Sequence, residues 1–389
     1  MVHDAPKVLE SYALEDSEAR QLWNWLLGRH GLSEDTKFDS VLGIAQATLG
    51  LHAARLPSPF TTVIARSLSP TVALTLFEKK THADLITVRC MRKTLHALPL
   101  ELAVVAHRAT QHFRERDALR AISNANVSVR HILGTVDAIV DLLGREGLMA
   151  HRAIEARVMT PRTSVAEVRL ALKLAWERGV LTYRNDTTRW NRENRRFGLT
   201  ARLYPDLDTS MDRHKATGEL IREYFDRYGP ASLRDVAWWS GLSRLAITTA
   251  MNESTRHFVA IHAPWCQSLL YMYGDQYDRF RDTRDKFPQL RSPELNFLAH
   301  EDVALKAYFE SRSRYLGNLP PRRAFNQIGE VLPTIVYGGQ VVGTWAWDPR
   351  KMAVTYSIIH GYGSPGLRKE AIFRANALSE TLRLRWAQT

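Results

Sequence analysis

Cysteine is scarce in this chain. The two that occur, Cys90 and Cys266, stand far apart in 389 residues. They cannot form a metal cluster on their own, and they fit two inert buried thiols in a reducing cytosol. Long apolar runs are missing too. No stretch of about 18 apolar residues occurs, so no membrane span is expected. The first residues, Met1 to Pro6, lack a basic region followed by an apolar one, so a cytoplasmic protein is expected and not an exported one. No set of His, Cys, Asp and Glu has the spacing of metal ligands, and His300-Glu301-Asp302 lacks a second His four residues on. Gly338-Gly339 reads as a hairpin turn and not a phosphate loop, and there is no Gly-x-Ser-x-Gly elbow. Metal chemistry, nucleotide hydrolysis and acyl transfer are therefore disfavoured, and no cofactor is expected. Acidic residues are in deficit, with 41 Asp and Glu against 53 Lys and Arg, for a net charge of +12. Charged residues at 24% and apolar ones at 45% are a globular composition. At roughly 150 residues per domain, two to four domains are expected. The basic surplus favours a polyanionic partner, of which nucleic acid is the usual one.

What is present is a recurring order of elements without recurring sequence. Leu220, Ile221, Tyr224, Phe225 and Tyr228 make one face of a helix over 211–228, stopped by Gly229-Pro230. Ser232 and Asp235 form an imperfect capping box for a second helix, and Ser243 caps a third over 244–252. Two alternating runs, 257–262 and 268–273, read as a hairpin. Three helices and a hairpin describe a winged helix-turn-helix. The same order appears upstream. Ile132, Val136, Ile139 and Leu143 define a helix, a short one covers 149–158, and the capping box Ser164/Glu167 starts a third. Strands from Val180 and over 195–203 follow. The first 125 residues are less regular, with helices expected over 17–29, 40–51, 59–67, 70–80 and 99–115. From about 285 the pattern turns to strands, over 334–337, 340–347 and 351–360, and ends in a helix after Ser364-Pro365. The expected class is α+β, mainly α: winged-helix units over 1–125, 126–208 and 209–284, then a small β-barrel-like domain with a closing helix over 285–389.

Such units bind duplexes, with the third helix sized for a major groove and the wing near phosphates. The loop from Arg184 to Arg196 holds Arg184, Arg189, Arg192, Arg195 and Arg196 with only Asp186 and Glu193 as acids. These arginines suit phosphate oxygens, and Trp190 offers a stacking or wedge surface. A solvated hairpin is the plain alternative. Several dissimilar units in one chain suggest a monomer that wraps one site, not a dimer reading a palindrome. A second unusual segment is Leu42 to Arg55, where Gln46, Thr48, His52 and Arg55 sit in an otherwise apolar helix and its exit. Buried polar groups need partners. They serve either the helix end and phosphate contact, or a ligand or water.

Three stretches carry a resemblance. Val88-Arg89-Cys90-Met91-Arg92-Lys93-Thr94-Leu95-His96 looks like Arg-x-x-Met-Arg-Gly-Thr-Leu-His, with Lys93 in place of Gly. The turn from Tyr228 to Trp238 and the hairpin from Leu332 to Trp345 follow in the right order. Through them, and over nearly its whole length, the chain resembles the bacterial winged-helix DNA glycosylases of the AlkZ and YcaQ type. The resemblance implies removal of alkylated purines, including bulky adducts and crosslinks, from duplex DNA, without a cofactor and at the nucleoid. The family signature is Gln-x-Gln or Gln-x-Asp, with His at the first place in some members. Ungapped counting from Arg66, which matches a family Arg, puts His52-Ala53-Ala54 on the signature. Two extra residues near Leu56-Pro57 put Gln46-Ala47-Thr48 there instead. His52 is the preferred catalytic residue, with Gln46 and Thr48 as runners-up, and neither register completes the signature. Arg55, Arg66, Arg92 and the 184–196 wing are expected on phosphates, and Thr94 and His96 either line the site or cap structure. Non-catalytic readings remain beside this one: a transcription regulator, or a lesion-binding resistance protein.

Overall fold

The computed structural model describes residues 6–284 and 294–386. The N-terminal residues Met1–Ala5, read above for a signal, and the expected boundary after 284 fall on residues outside this range. The chain is α+β and mainly α. Local signals explain several helix ends. Ser164 Oγ accepts from Glu167 N and Glu167 Oε2 accepts from Ser164 N, so the capping box satisfies two backbone donors of helix Val165–Glu177. Ser232 and Asp235 do the same for helix Leu233–Ser240, which Gly241 ends in the left-handed region.

The two helix–helix–helix–hairpin orders occur as expected. One comprises helices Val129–Glu146, His151–Val158 and Val165–Glu177 with strands Leu181–Asn185 and Arg195–Leu199. The other comprises helices Arg213–Tyr228, Leu233–Ser240 and Arg244–Asn252 with strands Phe258–Ala263 and Cys266–Tyr273. Neither hairpin stands alone. The N-terminal strand Val8–Ala13 pairs in parallel with Phe258–Ala263, making a three-stranded sheet. Strands Leu85–Arg89 and Leu95–Pro99 form a further hairpin. It joins the Leu181–Asn185 strand through the Thr87–Tyr183 bridge. The result is a six-stranded sheet with strand Leu51–His52 at one edge and Met149–Ala150 at the other.

Helix 40–51 was expected to run unbroken to its exit, and here the structure differs. The helix covers only Val41–Ala47. Leu49 at φ 48° and Gly50 at φ 92° then reverse the chain. A side chain at Gly50 would overlap Leu98, 2.5 Å away, so glycine is required by both backbone and space. His52 therefore lies on an edge strand and not at a helix end.

The C-terminal part is a four-stranded antiparallel meander, Leu295–Phe297, Thr334–Tyr337, Gln340–Asp348 and Ala353–Ile358. Its order has two free edges among the described residues, so it is an open sheet and not a closed barrel. Helix Pro365–Leu384 covers one face through Leu367, Ala371, Ala375, Leu378 and Leu382. That same core takes in Val41, Ile44, Phe60 and Val63 from the beginning of the chain. The two ends of the sequence thus share one apolar interior. A second large core gathers around helices Leu100–Asn124 and Arg213–Tyr228 and extends to Tyr308, Tyr315 and Val341.

Candidate active site

Side chains alternate along a strand. On the edge strand and its neighbour, His52 and His96 point to one side of the six-stranded sheet and Ala53 and Ala97 to the other. The two sides differ in chemistry. Ala53 and Ala97 face the larger cavity, walled by Phe60, Phe77, Tyr183 and Trp190. Its one acidic group, Glu193, is occupied by Tyr183 Oη at 2.9 Å and Arg195 Nη2 at 2.5 Å. His52 and His96 face a smaller cleft completed by Arg92, Thr94, Glu301 and Lys306.

His52 is 4% exposed, and neither ring nitrogen has a hydrogen-bond partner among the described residues. The nearest acid, Glu301, brings Oε2 to 3.7 Å from His52 Nε2, beyond hydrogen-bond length. The two imidazoles meet edge to face at 5.4 Å, with planes 88° apart. His96 is placed by its own turn: Nδ1–H donates to the Thr94 carbonyl at 3.3 Å and lies 3.5 Å from Cys90 Sγ. Burial holds both rings uncharged. It pulls His52 down to about 2, helped by His96 and Lys306, and His96 to about 4. Burial likewise pushes the Cys90 thiol up to about 12, so it is inert as expected. Lys306 touches the Glu301 carboxylate in an ion pair. Burial and the Arg92 charge lower the Lys306 ammonium, while the Glu301 carboxylate in contact with it favours its charged form.

The runners-up stand elsewhere. The Gln46 side chain is exposed, and the residue's backbone carbonyl accepts from Arg227. Thr48 is fully buried, with Oγ1 donating to the Ile44 carbonyl at 2.7 Å, so its hydroxyl closes the helix end. Neither lines the cleft. Thr94 lines the cleft, and its Oγ1 donates to the Met91 carbonyl at 3.0 Å. Ala54 is exposed at the strand exit and offers no polar atom where the second signature side chain would be.

The expected phosphate ligands divide. Arg92 is half-buried and stacked on Trp238 at 3.6 Å, with Nη1 unpartnered among the described residues. Arg55 is exposed and paired with Glu330 at 3.1 Å. Arg189, Arg192 and Arg196 are exposed on the wing, whereas Arg184 and Arg195 pair with Asp186 at 2.7 Å and Glu193 at 2.5 Å. Two expectations are corrected. Arg66 has no exposed surface, and it grips Asp302 with bonds of 2.6 and 2.8 Å, so it cannot hold a phosphate. Trp190 is 4% exposed, packs on Trp347 and Trp386, and donates Nε1–H to the Leu382 carbonyl at 2.7 Å. It docks the wing onto the closing helix and cannot serve as a wedge.

Glu301 and Lys306 were missed as site residues. The triplet His300-Glu301-Asp302 drew notice only for its failure as a metal motif. Its usable signal was two acids beside the apolar run Val303-Ala304-Leu305, since buried acids need partners.

A family model described as DNA glycosylase AlkZ-like matches residues 45–382. Among solved structures, Streptomyces sahachiroi DNA glycosylase AlkZ is similar over 93% of this chain and 96% of that one, with a TM-score of 0.73 and 16% identity. No curated protein sequence matches.

Proposed function

The chain belongs to the AlkZ-like DNA glycosylases, and from that premise we propose that it hydrolyses the N-glycosidic bond of alkylated purines in duplex DNA, bulky adducts and crosslinks included. The observation that carries this reading is His52, a buried imidazole whose two nitrogens have no partner among the described residues, in a cleft beside a carboxylate. Buried polar groups are normally satisfied, and an exception calls for a ligand or water. A purine alkylated at N7 is already cationic, so it leaves without a strong acid. The remaining need is a water held against C1′, and the neutral His52 can hydrogen-bond one. Arg92 and the exposed wing residues Arg189, Arg192 and Arg196 would hold phosphates. We read the two helix–hairpin orders as winged helices over 126–208 and 209–284, and the region 1–125 with its own hairpin as a further unit in tandem with them. With 285–389 as the cap, they would wrap one site as a monomer at the nucleoid.

The test is a duplex carrying N7-alkylguanine, with free base and abasic sites measured. The wild type should release base above the spontaneous rate. His52→Ala should lower release by about 100-fold through loss of water placement, while Gln46→Ala should leave it unchanged. Loss in Gln46→Ala alone would move the chemistry to the other register. Ala54, which leaves the signature incomplete, favours a second reading: a lesion-binding resistance protein. Tight binding to alkylated duplex with no release on any adduct would select it.

A further inference from the structure

We infer that Glu301 is the group that takes the proton of the attacking water, standing in for the side chain Ala54 lacks, and that Lys306 keeps it charged. This rests on the glycosylase reading and extends it to two residues outside the family signature.

The geometry is specific. Glu301 and His52 line the same cleft, and the Glu301 side chain is 3% exposed. One carboxylate oxygen, Oε1, accepts from Val331 N at 2.6 Å, while Glu301 N donates to the Val331 carbonyl at 2.9 Å. This double tie fixes the carboxylate. The other oxygen, Oε2, is thereby turned toward His52 Nε2, 3.7 Å away, and toward Lys306. A single water can hydrogen-bond to both Oε2 and Nε2 at that separation.

The backbone supplies a second, independent observation. Leu49, Arg92 and Glu301 all line this cleft, and all have positive φ, at 48°, 49° and 58°. Such conformations are strained for residues other than glycine and gather at functional sites. Three around one cleft indicate a geometry held against local preference.

The two groups then divide the work. A neutral imidazole that resists protonation can orient a water but is a poor proton acceptor near pH 7. A carboxylate can accept the proton. In the step, a water O–H bond breaks and its proton passes to Glu301 Oε2. The water oxygen forms a bond to C1′. The C1′–N bond breaks with its electron pair going to the purine, which cancels the positive charge of the alkylated ring. Lys306, in contact with Glu301, favours the carboxylate form beforehand.

The experiment compares single-turnover release from N7-methylguanine duplex by the wild type, Glu301→Gln and Glu301→Ala. Glu301→Gln retains an oxygen for Val331 N–H and should keep duplex affinity within about twofold. Its release should fall by about 100-fold or more. Formate added to Glu301→Ala should restore part of the rate, which a purely structural role would not allow. Release by Glu301→Gln within about threefold of an active wild type would overturn the assignment. If the wild type itself releases nothing, the glycosylase reading falls first and this one with it. Should the Glu301 variants not fold, Lys306→Gln decides. The groups facing Glu301 are Lys306, His52, Arg92 and, beyond them, His300 with Glu330. Removing the Lys306 cation raises the carboxylate's pKa, so the acid limb of the rate profile must move to higher pH. An unmoved limb would refute the inference.

Discussion

Arg66 shows how far a residue's setting can depart from its type. Both partners of the Arg66–Asp302 pair are completely buried, and the pair joins helix Pro57–Arg66 to the segment between the first two strands of the C-terminal sheet. Removing one partner leaves the other as an uncompensated buried charge. Arg66→Met should therefore lower stability by about 3–5 kcal/mol, measured by urea denaturation, while leaving the salt dependence of DNA binding unchanged. Lys93 is informative in another way. It occupies the place of a family glycine with φ at 63°, where glycine meets no penalty. Its side chain reaches Asp117 in an ion pair and lies 6.0 Å from the Phe113 ring centroid. The charged contacts offset part of the backbone cost.

At the scale of elements, Asp235 does more than cap a helix. Besides its bond to Ser232 N at 2.9 Å, it accepts from Phe309 N, Glu310 N and Ser311 Oγ at 2.6, 2.7 and 2.7 Å. One buried carboxylate thus ties helix Leu233–Ser240 to the segment between the first two strands of the C-terminal sheet. A typical cap is worth about 1 kcal/mol. Asp235→Ala should cost more, about 3 kcal/mol or above, because several buried donors lose their acceptor together. A loss near 1 kcal/mol by denaturant titration would mean that the loop finds other partners. The wing is a similar case. Its Trp190 anchor fixes where Arg189 and Arg196 stand relative to the closing helix.

For the whole molecule, the +12 charge is the quantity a duplex would meet. Interior pairs such as Arg66–Asp302, Arg114–Glu177 and Arg256–Asp275 cancel and add nothing to that surplus. On the proposed reading, the exposed wing residues Arg189 and Arg196 would meet phosphates. Replacing Arg189 or Arg196 by Gln should each lower the slope of log binding constant against log salt by about 1. The effect should be similar on undamaged and alkylated duplex, since phosphates carry no lesion information. Unchanged slopes in both variants would place the duplex away from the wing.

The sequence alone determined what neighbours in the chain decide. Helix Val165–Glu177 was legible from Ser164 and Glu167, and helix Leu233–Ser240 from Ser232, Asp235 and Gly241, because caps and periodicity act over a few residues. His52 was legible as a polar group in an apolar segment, and its direction was not. That direction depends on the left-handed turn at Leu49-Gly50 and on pairing with the strand of His96. The tertiary structure alone brought Glu301 and Lys306 to His52 from the far end of the chain, and buried Arg66 and Trp190 where their residue types suggested a DNA surface. Desolvation explains why. Whether an arginine holds a phosphate or an interior aspartate, and whether an imidazole stays neutral, is set by what packs around it, and the packing partners here come from distant segments.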